Sequence, residues 1–88
     1  MSLTNREKQI IDATAHGYIN SRIAEDLKVS KSTVNVMLMH VFAKFNLDRS
    51  VEPDINTRIK AVLIYLRDYK GIKGLDEYIE NHSSQEAV

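Results

Sequence analysis

Between Lys31 and Lys44 the chain puts groups suited to nucleic acid on one side of a helix and groups that must be buried on the other. Val34, Leu38, Val41, Phe42 and Phe45 recur at helical spacing and read as the inward stripe. The opposite side carries Lys31, Ser32, Asn35, Val36, Met39, His40 and Ala43. Lys31 and Ser32 suit phosphate oxygens or the acceptor edge of guanine. Asn35 bears an amide whose donor and acceptor match adenine N6 and N7, a pairing that contributes about 1–3 kcal/mol of discrimination. Val36 and Met39, apolar yet outward, fit thymine methyl groups. Further phosphate contacts are expected from Asn20, Ser21 and Arg22, where free amides and the helix dipole favour anions. Lys44 and Lys60 are additional candidates.

These groups need a scaffold, and the stretch Asn20–Val34 supplies its pattern. Ile23, Ala24 and Leu27 share one face of a short helix, Val29 falls in a turn, and Ser30 is placed to cap the next helix. Ala24 lies ten residues before Val34, so a small residue meets a β-branched one where the two helices cross. That is a helix-turn-helix, whose second helix is shaped to enter a DNA major groove.

The flanking elements are helical too. Thr4-Asn5-Arg6-Glu7 has the form of a capping box. The helix it opens should run to about Ala15, bury Ile10, Ile11 and Thr14, receive Leu3 and close at Gly17. Asn20 reads as the N-cap of a second helix over Ser21–Leu27. The third should continue to Asn46, which tolerates a left-handed backbone. After a polar, Pro-containing connection over Asp48–Ile55, Asp54 or Asn56 can cap a fourth helix from about Thr57 to Tyr69. Gly71 and Gly74 then break the chain before Leu75–Asn81, a candidate short fifth helix, and Ser83–Val88 reads as frayed. The expectation is all-α: a tetrahelical domain over residues 1–70 and an acidic, partly disordered segment over 71–88.

On the fourth helix, Ile59, Val62, Leu63 and Leu66 form the expected inward stripe. Ala61, Ile64, Tyr65 and Tyr69 then leave apolar surface outside it. Val62, Ile64, Tyr65 and Tyr69 are the expected contacts of a two-fold dimer. The alternative is that Leu75–Asn81 folds back over the surplus.

The 88 residues carry twelve Lys and Arg against twelve Asp and Glu. All twelve cations lie within residues 1–74, whereas Asp76, Glu77, Glu80 and Glu86 lie beyond them. A mildly basic body with an acidic end suits moderate phosphate affinity better than overall neutrality suggests. The chain has no cysteine, so it has no thiolate metal site and no disulfide framework. His16, His40 and His82 are scattered without ligand spacing, and no nucleophile–base set or phosphate loop can be assembled. Neither enzyme activity nor a cofactor is expected. The apolar run Ala61–Leu66 is too short to span a bilayer, which makes a cytoplasmic protein the default.

Leu3-Thr4, Arg6-Glu7, Gly17, Ile23-Ala24, Leu27, Val29-Ser30, Thr33-Val34 and Lys44-Phe45-x-Leu47 together resemble the LuxR/GerE/FixJ-type DNA-binding domain. The resemblance resumes at Arg58-Ile59-Lys60-Ala61-Val62, similar to the family's opening of helix four. It implies a tetrahelical fold, a recognition helix over Lys31–Phe45, phosphate contact at Thr33 and dimers through helix four. It also implies a transcriptional regulator, bacterial or phage-encoded, with double-stranded DNA as its partner. The chain departs from the family in about eight extra residues between Leu47 and Arg58, in Asn35 where a basic residue is usual, and in Met37 and Met39. A competing reading follows from that weak charge: a protein-interaction module, either an anti-regulator or a sigma region-four-like adaptor, that holds RNA polymerase or a signalling partner.

Overall fold

Each helix of the computed structural model, which describes residues 2–47 and 55–79, can be traced to a local signal or to a packing demand. The elements are α1 (Asn5–Ala15), α2 (Asn20–Leu27), α3 (Lys31–Lys44) and α4 (Ile55–Lys70), with a single helical turn at 76–79. The described residues include no strand, so the fold is all-α. The connection Asp48–Asp54, including the Asp54 cap, lies outside the described residues, as do residues 80–88.

The local signals behave as chemistry requires. The Thr4 hydroxyl accepts from Glu7 N–H at 3.1 Å while the Thr4 N–H donates to Glu7 Oε1 at 2.8 Å, closing the capping box. Ser30 Oγ accepts from Thr33 N–H at 3.0 Å and starts α3. Asn46 takes φ 59° just past the end of α3, as its left-handed tolerance allows. Lys28 does the same at φ 58° after α2, letting the Val29 N–H reach back to the Ala24 carbonyl at 3.0 Å. That reversal makes the turn of the helix-turn-helix.

Two cap assignments need correction. Ile19, extended and without a side-chain cap, is the N-cap of α2, and Asn20 is its first helical residue. The Asn20 amide is drawn away to other helices, so it is not available to cap its own. Asn56 lies inside α4, which opens at Ile55.

Helix α3 packs against all three other helices. Its Val34, Leu38, Val41 and Phe42 are buried with Leu3, Ile10, Ile11, Ile23, Ala24, Ala61 and Tyr65 in one core. Thr14 is only partly buried, because its hydroxyl donates to the Ile10 carbonyl on the flank of α1.

Helix α4 is turned about its axis relative to the expected stripe. Ala61, Ile64 and Tyr65 are buried, Tyr69 packs on the core's edge, and Ile59 stands 36% exposed. The tyrosines decide this, since they bring the most apolar area and find partners for their hydroxyls. Tyr65 Oη donates to Asp12 Oδ1 at 2.9 Å, and Tyr69 Oη accepts from Leu3 N–H at 3.1 Å. The two rings stack at 5.7 Å, and Ala61 lets α4 approach closely. Ile64 and Tyr65 are therefore taken up within the chain and Tyr69 largely so, which leaves little of these three side chains for the intermolecular contact expected of them. Of the four residues assigned to an interface, Val62 alone lines the apolar groove on the side of Ile59 and Leu63. Beyond Gly71, Asp76 accepts from Arg67 at 2.7 Å and Ile79 is buried, so the start of the acidic segment is tied to α4.

Burial, followed by the hydrogen bond to Asp12, pushes the Tyr65 phenol up to about 12 from its ordinary 10.0. A folded state that favours the neutral phenol keeps this contribution below pH 10 and loses it as the pH rises toward 12. Tyr65→Phe should cost about 1 kcal/mol at neutral pH. It should also reduce the fall in urea midpoint between neutral and strongly alkaline solution.

Candidate nucleic-acid interface

The outward face of α3 is polar at its start and apolar further on. Lys31, Ser32, Thr33, Asn35, Val36 and His40 are exposed, and Met39 is half-buried. Val36 keeps 48% of its surface in solvent, an unusual position for a β-branched apolar residue with the core one turn away. The Thr33 hydroxyl shares a 2.8 Å hydrogen bond with Ser30 Oγ, so it belongs first to the helix cap.

Helix α2 brings a second set to the same side. Ser21 is exposed and Asn20 half-buried. The Asn20 amide donates through Nδ2 to Asn35 Oδ1, tying the start of α2 to the outward face of α3. Arg22 pairs with Asp26 one turn on, at 3.2 Å, and lies over the Tyr18 ring at 5.1 Å from its centre. Both partners of that pair are well exposed, so a phosphate can compete for the guanidinium.

Lys44 does not belong to this surface. Its Nζ donates to the buried Glu7 carboxylate at 2.7 Å and to the Ser2 carbonyl at 3.2 Å. Burial alone would raise the Glu7 carboxyl, but the hydrogen bonds and charge from Lys44 and Thr4 outweigh it and hold the group below its ordinary value. Lys44 is a structural cation that neutralises a buried acid, and this pairing occupies the ammonium expected to contact phosphate.

Arg58 on α4 joins the interface without having been singled out as a contact. Its guanidinium donates to Asn20 Oδ1 at 3.3 Å, and burial lowers its affinity for its proton. Arg58, Lys31, Asn20, Ser21 and Ile19 line an open cleft of about 300 Å³ where the starts of α2, α3 and α4 converge. Two cations and uncapped α2 amides around one cleft make it hospitable to an anion. The only advance signal was Arg58's place in Arg-x-x-Ala-Val.

Residues 1–52 match bacterial regulatory proteins of the luxR family, also termed GerE. The chain belongs to the LuxR family. That assignment makes it a LuxR-type helix-turn-helix domain of a DNA-binding regulatory family, not of an enzyme family. Neither curated proteins nor solved structures gave a match to this LuxR-family chain. The match takes in α1, α2 and α3 and stops before α4, within the connection where the sequence departs from the family pattern. Among the described residues no group of His, Cys, Asp and Glu could hold a metal, and no helix is long and apolar enough to cross a membrane.

Proposed function

We propose that this LuxR-family chain is a sequence-specific transcriptional regulator that lays α3 in the major groove of double-stranded DNA and works as a homodimer. The observation that carries the reading is the outward face of α3. Lys31, Ser32, Asn35 and Val36 are all exposed on a helix whose other side is locked into the core. Lys31 and the cleft at the start of α2 serve the phosphates, Asn35 reads a base edge, and Val36 and Met39 meet thymine methyls.

One domain contributes few phosphate contacts, so useful affinity needs two recognition helices about one DNA turn apart. The surface best suited to pairing is the outer side of α4. There Ile59, Val62 and Leu63 border a groove of about 360 Å³ with Tyr18 and Ile19. A second copy supplies the same apolar side chains to a two-fold contact. The exposed Val36 and the uncharged Asn35 also favour a second reading, in which α3 holds a protein partner instead of DNA.

Gel retardation at low and moderate salt separates the two. The DNA reading expects salt-sensitive binding, with Lys31→Ala weakening all sequences and lowering the salt slope by about one. Asn35→Ala should instead relax preference at one base pair. Absence of binding to any duplex at low salt would leave the protein-partner reading in place.

A further inference from the structure

Three side chains from three helices form a chain of hydrogen bonds that ends on the recognition face. Arg58 of α4 donates to Asn20 Oδ1, and Asn20 of α2 donates through Nδ2 to Asn35 Oδ1 on α3. Arginine can only donate, so Asn20 must turn its oxygen toward Arg58. That leaves Asn20 its NH2 for Asn35, and Asn35 must then answer with its oxygen. Turning over either amide would set donor against donor. An asparagine amide, ordinarily free to present its two ends in either order, is here fixed by a cation two helices away.

We propose that Arg58, acting through Asn20, is a positioning residue that sets which way the Asn35 amide faces the bases and thereby which base pair it reads. The proposal rests on the reading of α3 as the DNA-contacting helix. In the major groove adenine offers N7 as acceptor beside N6 as donor, whereas guanine offers two acceptors. A freely turning amide satisfies more than one arrangement along the groove. A locked amide meets the groove in one order, with both Nδ2 hydrogens and one Oδ1 lone pair still available after the bond from Asn20. The arrangement also explains how a reading position without a charge could still discriminate: Asn35 gains definition from its support.

The test is selection from a pool of randomised DNA duplexes, followed by retardation of the selected duplex and its single-base variants. The native chain should prefer one base pair at the Asn35 position by about fivefold or more. Arg58→Leu should reduce that preference to about twofold or less while other positions keep theirs, and Arg58→Lys, which retains a donor, should restore most of it. Asn20→Asp offers only acceptors, so it should turn the Asn35 amide over and move the preference to a different base pair. If Arg58→Leu weakens every sequence alike and lowers the salt slope by about one, Arg58 is a phosphate contact and the proposal is overturned. An independent readout is the Asn35 side-chain amide signal in the NMR spectrum of the DNA-free protein. It should move in Arg58→Leu and return in Arg58→Lys. Signals that do not move refute the relay itself, whereas moving signals in a chain that binds no duplex refute the DNA reading on which the proposal depends.

Discussion

Lys44→Ala should destabilise the domain by about 3 kcal/mol while leaving the DNA affinity of the folded molecules unchanged. The substitution strands the Glu7 carboxylate in a site where that residue is only 4% exposed, with the Thr4 N–H as its remaining donor. A domain of this size has a total stability of roughly 0.05–0.15 kcal/mol per residue, so the loss takes a large share of it. Glu7→Gln combined with Lys44→Met should recover much of the deficit, because removing both charges is far less costly than removing one. In the native chain the depressed Glu7 carboxyl contributes fully above its ordinary value of 4.5 and loses that contribution as the pH falls through the lower folded value. Urea unfolding near neutrality and at pH 3–4 should show a larger loss of stability in the native chain than in the double variant, which keeps only the acid sensitivity of its other carboxylates such as Asp68. If Lys44→Ala instead weakens DNA binding per folded molecule, Lys44 acts on phosphate after all.

The second large effect is expected on the outer side of α4. Leu63→Glu, or Ile59→Glu, should turn a sedimenting dimer into a monomer and lower affinity for a two-half-site duplex by about 100-fold or more, the usual size of the advantage from joining two weak sites. Unfolding midpoints should change little, because Ile59 is exposed and Leu63 lies on the open groove. Tyr65→Glu provides the contrast. It places a charge in the core beside Asp12 and should unfold the domain, not merely split a dimer. A native chain that sediments as a monomer at high concentration would remove the pairing surface from the proposal.

The features legible in advance were those set by neighbours along the chain. The capping box at Thr4, the Ser30 cap, the Asn46 terminator and the buried stripe Val34, Leu38, Val41 and Phe42 each depend on residues within a turn or two. Ala24 and Val34 lie further apart, but the helix-turn-helix spacing is short enough to place both in the core. The misjudged features depended on distant partners. Helix α4 has apolar residues around most of its circumference, so periodicity could not choose its inner side. The choice was made by Asp12 and Leu3, which lie more than fifty residues away along the chain and receive the two tyrosine hydroxyls. Lys44 looked like any exposed lysine until Glu7 came to lie beside it, and Asn20 read as a cap until Asn35 and Arg58 claimed its amide. The exposed residues on the outward face of α3 were legible from type and spacing alone. What supports them was not.

The clasp at the far end of α3 has a practical consequence. Lys44 holds the Ser2 carbonyl and Tyr69 holds the Leu3 amide, so the start of the described chain is fastened beside the last turn of α3. The first turn, with Lys31, is about 20 Å away along the helix axis. A group joined ahead of Ser2 would be attached beside that last turn, like a handle at the end away from the blade. A fluorophore, affinity tag or whole domain fused there could report on or carry the molecule without crowding the face proposed to meet DNA.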